Sequence, residues 1–280
     1  MMVAPGRRLS NSSFHVDRRN PLPLYAQLKQ SLREQIVRGH WKPGDVIPAE
    51  PELCRGCGVS RTVVRQALTE LALEGLIVRE RGRGTFVAPP KLTESAVQRL
   101  SGFYEDMSIL GHPPVSQVLK QDVVPASKQV AARLALHTGT YVIEIERLRF
   151  VHEEPLVLTT TYLPLELCPG LVNADLTRRS LYEYLESECD LSLARGRRTI
   201  EAVAADERQA RLLRVRKGAP LILLYSVSYL ADGRPIEYYL ALHRADRSRF
   251  EVELVRSEAS SQSGPLQALP RGSGELIGSD

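Results

Sequence analysis

"GVSRTVVRQALTELALEGLIVRERGRGTFV", residues 58–87, is the stretch that decides the fold. Its first half has the period of a helix. Ser60 is a good N-cap, Val64, Ala67, Leu68 and Leu71 follow the i, i+3, i+4, i+7 stripe of a core-facing helix, and Gly75 ends it. The opposite face carries Arg61, Thr62, Arg65, Gln66 and Thr69. The second half, 76–88, reads as strand, tight basic turn and strand, with Gly82 and Gly84 in the turn. Upstream, Leu24, Leu28, Leu32 and Ile36 recur every four residues and predict a helix that stops at Gly39. "KPGD" (42–45) is a turn, and a short helix over about 50–57 is expected to end at Gly58. Three helices and a hairpin make a winged helix-turn-helix.

Beyond "APPKL" (88–92), a plausible linker, strands mix with helices. Strands are expected at 114–124, 140–151, 156–163, 193–203, 220–230, 235–243 and 249–256, and helices at about 94–110, 128–136, 180–189 and 206–215. Ser180…Glu183 and Asp206…Gln209 have capping-box spacing, and the Asp-Gly of "ADGRP" (231–235) marks a hairpin. The fold class is therefore α+β: an N-terminal winged helix-turn-helix joined to a C-terminal α+β domain with a mainly antiparallel sheet. The expected division is a flexible arm at 1–20, the DNA-binding unit at 21–88, a linker at 89–95, the second domain at 96–256 and a tail at 257–280. That tail has 12 Ser, Gly or Pro among its 24 positions and is expected to be disordered.

Bulk properties narrow the class. The 280 residues, 43% hydrophobic and 25% charged, are enough for two globular cores. No apolar run approaches the roughly 18–20 residues of a membrane span, and the N-terminus lacks the apolar core of a secretory signal, so a cytoplasmic location is expected. Charge is unevenly placed: residues 1–90 hold 14 Lys/Arg against 8 Asp/Glu, whereas the remainder holds 23 against 25. A basic N-terminal third suits a polyanionic partner.

A helix-turn-helix places the start of its second helix in the major groove, where long donors meet base edges. Arg61, Thr62 and Arg65 stand there, with Gln66 beside them, and arginine binds guanine in a bidentate way. Ser60 can cap the helix and reach a phosphate, and Arg81, Gly82 and Arg83 suit a neighbouring backbone or minor-groove contact. The competing reading, a solvated arginine face, loses force because turn, hairpin and charge asymmetry agree.

Residues 21–87, through PLY, the G-x-x-x-P-G-D turn, P-x-E-x-E-L, VSR-x-x-VR-x-AL, EGL and G-x-GTFV, resemble the DNA-binding domain of the GntR family of bacterial transcription regulators. The resemblance implies operator contacts by Arg61, Thr62, Arg65 and Gly82. Pro51 stands where that family usually has a DNA-touching arginine, and Ala49 replaces a common serine cap. Proline itself is acceptable in a helix's first turn.

The second domain, over about 96–256, resembles the UTRA ligand-binding domain of the HutC branch, a chorismate-lyase-like fold. "RLRF…EPLVLTTTYLP" (147–164), "SLYEYL" (180–185), "ADGRPIEYY" (231–239) and "HRADRSRF" (243–250) carry that likeness. It implies a small metabolite held by Arg147, Arg149, Thr159, Ser180, Glu237 and His243, a phosphorylated sugar or another anionic compound. Thr159 and His243 depart from a usual glutamate and tyrosine, which alters the grip on sugar hydroxyls. Independently of the family, Arg147 and Arg149 continue the face of Ile143 and Ile145, so burying them requires an anion or a carboxylate. The alternatives are pairing with Glu144, Glu146, Glu153 or Glu237, or an exposed strand end. Ser180 is a helix N-cap in either case, and capping is compatible with anion binding.

Cys54 and Cys57 lack a second pair at zinc-site spacing and are read as packing residues one helical turn apart. Cys168 and Cys189 are too scattered for a disulfide framework, so all four thiols are expected to be reduced. His112, His137 and His152 are isolated and show no metal-ligand spacing; no metal, cofactor or catalytic residue is expected. The reading is a homodimeric, ligand-responsive regulator, a repressor of a palindromic double-stranded DNA operator, with no membrane partner. The alternatives are a C-terminal domain that only dimerises, or a lyase-like enzyme.

Overall fold

The computed structural model describes residues 16–80, 82–94 and 103–252. Helix α1 (Leu24–Val37) buries Leu28 and Leu32, the stripe its four-residue spacing dictates. Helix α2 (Glu50–Cys57) has no side-chain cap from Ala49; instead the Glu52 carboxylate reaches back to accept the Ala49 N–H at 2.9 Å. Helix α3 (Arg61–Leu73) begins at Ser60, whose hydroxyl accepts the Val63 N–H at 3.4 Å. It buries Val64, Ala67, Leu68 and Leu71 against Leu28, Leu32, Leu53 and Trp41. Lys29 ties α1 to α3 by ion pairs to Glu70 at 2.6 Å and Glu74 at 3.4 Å.

Strands β1 (Ile77–Glu80) and β2 (Gly84–Val87) form the hairpin, in register Ile77↔Val87 to Glu80↔Gly84. The 45–47 segment lies along β2, since Ile47 N–H donates to Thr85 O at 2.8 Å and Val87 N–H to Asp45 O at 2.9 Å. The wing therefore has a third, short edge that fixes it to the helices.

The rest of the chain is built on a six-stranded sheet. Its elements are β3 (Leu92–Glu94), α4 (Phe103–Ile109), β4 (Val115–Pro125), α5 (Lys128–Leu134), β5 (Tyr141–Val151), β6 (Glu154–Pro164), α6 (Leu181–Cys189), β7 (Arg195–Ala204), α7 (Glu207–Leu213), β8 (Pro220–Tyr229), β9 (Pro235–Arg244) and β10 (Ser248–Phe250). Two 3-10 turns, Leu165–Leu167 and Pro169–Asn173, precede α6. The sheet order is β4-β5-β6-β9-β8-β7, every neighbour antiparallel. Alternation splits its residues between two cores. One face, with Ile143, Ile145, Leu224 and Ala241, is covered by α4, α6 and the 3-10 turns. The other, with Val142, Leu148, Leu158 and Tyr238, is covered by α5 and α7.

Asp206 and Gln209 cap α7 reciprocally, at 2.7 and 3.1 Å. Ser180 caps α6 by accepting from Tyr182 N–H and Glu183 N–H, whereas Glu183 does not return the bond and forms an ion pair with Arg179 at 3.9 Å.

Three expectations need correction. Of the strand expected at 249–256, Ser248–Phe250 is a short strand and 251–252 are irregular, while 253–256 lie outside the described residues. Of the helix expected over 94–110, Phe103–Ile109 is helical, Glu94 is instead the end of β3 inside the expected linker, and 95–102 lie outside the described residues. The cause is tertiary: β3 pairs in parallel with β10, and Leu92 N–H donates to Arg247 O at 2.8 Å. Cys168 and Cys189 are not reduced thiols but a disulfide, with Cα atoms 5.7 Å apart. Helix α6 turns the chain back on itself and delivers Cys189 to the 3-10 turns, a closure that linear spacing does not reveal. The arm at 1–15 and the tail at 257–280 lie outside the described residues.

Among the described residues, the N-terminal unit meets the sheet unit at the turn after β9. Gly75 has φ +75, and a Cβ there would collide with the Asp246 carbonyl oxygen. Lys91 Nζ donates to Ala245 O at 2.6 Å. The turn is held by ions: Arg244 bonds Asp246 at 2.7 Å and Glu154 at 2.8 Å, and Arg247 bonds Glu154 at 2.9 Å.

Candidate functional site

On the helix-turn-helix, the residues expected to meet DNA stand together at the start of α3. Arg61, Thr62, Arg65 and Gln66 are exposed, and Ser60 is exposed as well as capping. Arg65 does not swing freely: its Nε donates to Glu50 Oε2 of α2 at 3.0 Å, leaving both terminal nitrogens for a base edge. Gln66 donates to Glu70 at 3.4 Å. In the wing, Gly82 has φ +76, a conformation that favours glycine, and no heavy atom stands within 4 Å of where a Cβ would be. Arg83 forms an ion pair with Glu80 and lies 5.8 Å from the centre of the Phe86 ring. Arg81 lies outside the described residues. Pro51 falls in the first turn of α2 and is exposed.

Cys54 and Cys57 are partly buried against the Leu28–Leu53 core, as packing residues would be. Burial, followed by the neighbouring Cys54 thiol, pushes the Cys57 thiol up and keeps it protonated.

The second cluster lies on the sheet face under α4 and α6. Arg147 and Arg149 are neighbours of Ile143 and Ile145 on that face, and they are 1% and 4% exposed. The carboxylates that alternation sends to the other face are taken: Glu144 by Lys120 and by Tyr162 at 3.0 Å, Glu146 by Arg208 at 2.7 Å. Glu153 sits in the β5–β6 turn with φ +66. Neither arginine forms an ion pair among the described residues, and Arg147 Nε, Arg147 Nη1 and Arg149 Nε have no hydrogen-bond partner. Burial, then the like charge of Arg149, pulls the Arg147 guanidinium down to about 9. Burial lowers Arg149 as well.

The other expected ligand residues surround this pair. Thr159 pairs with Arg147 across the strands and donates to its carbonyl at 3.3 Å. Ser180 donates to Glu105 of α4. Glu237 accepts from Tyr182 at 2.8 Å and from Ser228 at 2.9 Å, and burial nevertheless raises its carboxyl. His243 lies edge-on between Phe103, 6.3 Å away, and Phe250, 5.1 Å away. Phe103 also takes the Arg149 guanidinium over its ring at 5.4 Å.

Five of the expected ligand residues thus share one sheet face and Ser180 stands over it at the start of α6, and an anion is what the arrangement can bind. A buried guanidinium without a partner is costly, and a carboxylate or phosphate meets its fork bidentately. Sequence reasoning missed Glu105, Tyr182, Arg198, Thr161, Ser226 and Ser228. Period-two counting from Thr159 along "LTTTYL" reaches Thr161, and "YSVSY" (225–229) places both serines on one face. His112 and His152, isolated in sequence and placed in loops, meet in space: His152 Nε2 lies 3.0 Å from His112 Nδ1, because α4 ends beside the β5–β6 turn.

Residues 24–87 match the model described as bacterial regulatory proteins, gntR family, and residues 110–249 match the UTRA domain. The chain belongs to the GntR family. Within it the chain falls in the HutC branch and is a ligand-responsive DNA-binding transcriptional regulator. It is 33% identical to the HTH-type transcriptional repressor NagR of Bacillus subtilis (strain 168) over 85% of this chain and 97% of that one. It is 31% identical to the histidine utilization repressor of Pseudomonas putida over 82% of this chain and 92% of that one. The crystal structure of PhnF from Mycobacterium smegmatis superposes with a TM-score of 0.59 at 30% identity, covering 82% of this chain and 99% of that one. No helix among the described residues is long and apolar enough to cross a membrane.

Proposed function

We propose that this GntR-family regulator is a cytoplasmic homodimeric repressor released from its operator by a small anionic metabolite. The observation that carries the reading is the Arg147–Arg149 pair, buried, in no ion pair among the described residues, and with Arg147 Nε, Arg147 Nη1 and Arg149 Nε lacking acceptors. Arg147, Arg149, Thr159, Ser180, Glu237 and His243 hold the effector in this reading. Ser60, Arg61, Thr62, Arg65, Gln66, Arg81, Gly82 and Arg83 meet DNA, with phosphate contacts positioning the helix and arginines reading bases. Two such helices in a dimer address half-sites about 34–36 Å apart, which a palindrome provides. The DNA-binding unit runs over 21–88, the connection over 89–95 and the effector and dimerisation unit over 96–256. The repressors among its relatives support the sign of regulation.

The test is fluorescence anisotropy of the full chain on DNA from its own upstream region, at fixed salt, with candidate phosphorylated and carboxylated metabolites added. Release of the operator by an anionic compound, lost in Arg147→Met, is the expected result. Release by a neutral or cationic compound with equal strength in that variant would overturn the reading.

A further inference from the structure

A second set of unsatisfied polar groups lies on the same sheet face as Arg147, one side-chain row away. Thr161 pairs with Tyr239, Tyr239 with Ser226, and Ser226 with Arg198, so the four form a continuous row across β6, β9, β8 and β7. Thr161 is two residues from Thr159, about 6.7 Å along the strand from the Arg147 row. Thr161 and Ser226 are 0% and 1% exposed, and neither hydroxyl has a hydrogen-bond partner. The Nε of Arg198 is buried and unpartnered too. Buried polar atoms left this way are rare in folded proteins and call for a partner that the described residues do not supply.

The obvious protein partner is already used. Glu237 accepts from Tyr182 and Ser228 through the same oxygen, and no hydrogen bond or ion pair joins it to Arg198. The charges of Arg198 and Arg147 both act on Glu237 and on Tyr239, so the two guanidiniums reach the same groups from β7 and from β5. Yet Arg147 is on β5 and Arg198 on β7, with three strands between them, so their Cα atoms are about 19 Å apart at strand spacing. A single anionic group seated on Arg147 and Arg149 leaves the Thr161 and Ser226 hydroxyls and the Arg198 Nε, one side-chain row away, still to be accounted for. Guanidinium is a donor only, and its planar fork matches a carboxylate.

We propose that the effector is elongated and carries two acidic heads: one anion at Arg147 and Arg149, and a carboxylate at the far end against Arg198, Ser226 and Thr161. This rests on the effector reading above and narrows it from an anion to a two-headed acid.

Matched probes test it by titration calorimetry on the full chain. ω-Carboxyalkyl phosphates with three to six carbons are compared with ω-hydroxyalkyl phosphates of the same lengths, and inorganic phosphate serves as the reference. At the fitting length the carboxylate probe binds at least tenfold tighter than its hydroxyl counterpart. Arg198→Gln removes that difference and leaves the hydroxyl probes within twofold of wild type, and Ser226→Ala weakens only the carboxylate probe. Arg198→Lys, with circular dichroism as the fold control, keeps part of the preference if Arg198→Gln does not fold. Equal binding of both members at every length, or a preference that survives Arg198→Gln, overturns the second head while leaving the Arg147–Arg149 anion intact. Failure of all probes, phosphate included, to bind overturns both readings together.

Discussion

Replacing Arg147 by Met should make the effector-free protein more stable. Burial, then the like charge of Arg149, pulls the Arg147 guanidinium well below its ordinary range, to about 9, which is an unfavourable burial of several kcal/mol at about 1.36 kcal/mol per pH unit. That is an upper figure, because water reaching the site lowers it. Exchanging unpaired buried charge for an apolar side chain of similar length typically gains about 1–4 kcal/mol, and that is the expected range here. Relief of the like charge beside Arg149 acts in the same direction. Urea unfolding of the two proteins should show a higher midpoint for the variant with an unchanged slope. The pH dependence has a defined sign. The folded-state value is depressed, so the native protein holds fewer protons than the unfolded chain from about pH 9 up to the ordinary guanidinium range. Wild-type stability therefore rises relative to the variant through that window and carries the full penalty below it. Effector at 100 times its Kd should add about 2.7 kcal/mol to wild type and nothing to the variant. A variant less stable than the effector-free wild type by more than about 1 kcal/mol would refute the reasoning, since protein groups would then be satisfying the guanidinium.

Arg65→Ala should cost about 1–3 kcal/mol of discrimination between operator and mismatched DNA, read by competition anisotropy, with effector affinity unchanged. Glu50→Gln, which loosens the 3.0 Å hold on Arg65, should lose part of that discrimination while binding to random DNA stays the same. Reducing the Cys168–Cys189 bond, or replacing both cysteines by Ala, should lower stability by about 3 kcal/mol, as the chain-entropy model gives for a loop of this length. Thiol titration before and after denaturation counts the bond directly. Gly75→Ala, forced against the Asp246 carbonyl at positive φ, should speed amide exchange in the 244–247 turn; protection equal to wild type would show that the two units do not press there.

Legibility in the sequence followed the range of the interactions. The stripe of α3, its Ser60 cap and the polar face of Arg61 and Arg65 are set within a few turns of helix, so local spacing displays them. Arg147 and Arg149 were equally visible, because strand alternation alone puts them on the face of Ile143 and Ile145. What local spacing cannot display is which strands become neighbours. The order that seats β9 between β6 and β8 brings Thr161, Tyr239 and Ser226 side by side, and only then does Arg198 join them. The same limit hid the parallel pairing of β3 with β10, the disulfide, and the contact of His112 with His152.

The turn between β9 and β10 has a consequence for how the two ligands of this regulator affect each other. His243, beside the effector arginines, and Asp246, against Gly75 of the DNA-binding unit, are three residues apart on a turn that ion pairs hold in one shape. If effector and operator favour different settings of that turn, neither can act on it alone. Whatever factor the effector takes from operator affinity, the operator must take from effector affinity, because both paths around the cycle end in the same doubly bound state. A cell rich in operator copies would then need more metabolite to be induced, even though the metabolite pocket itself is unchanged.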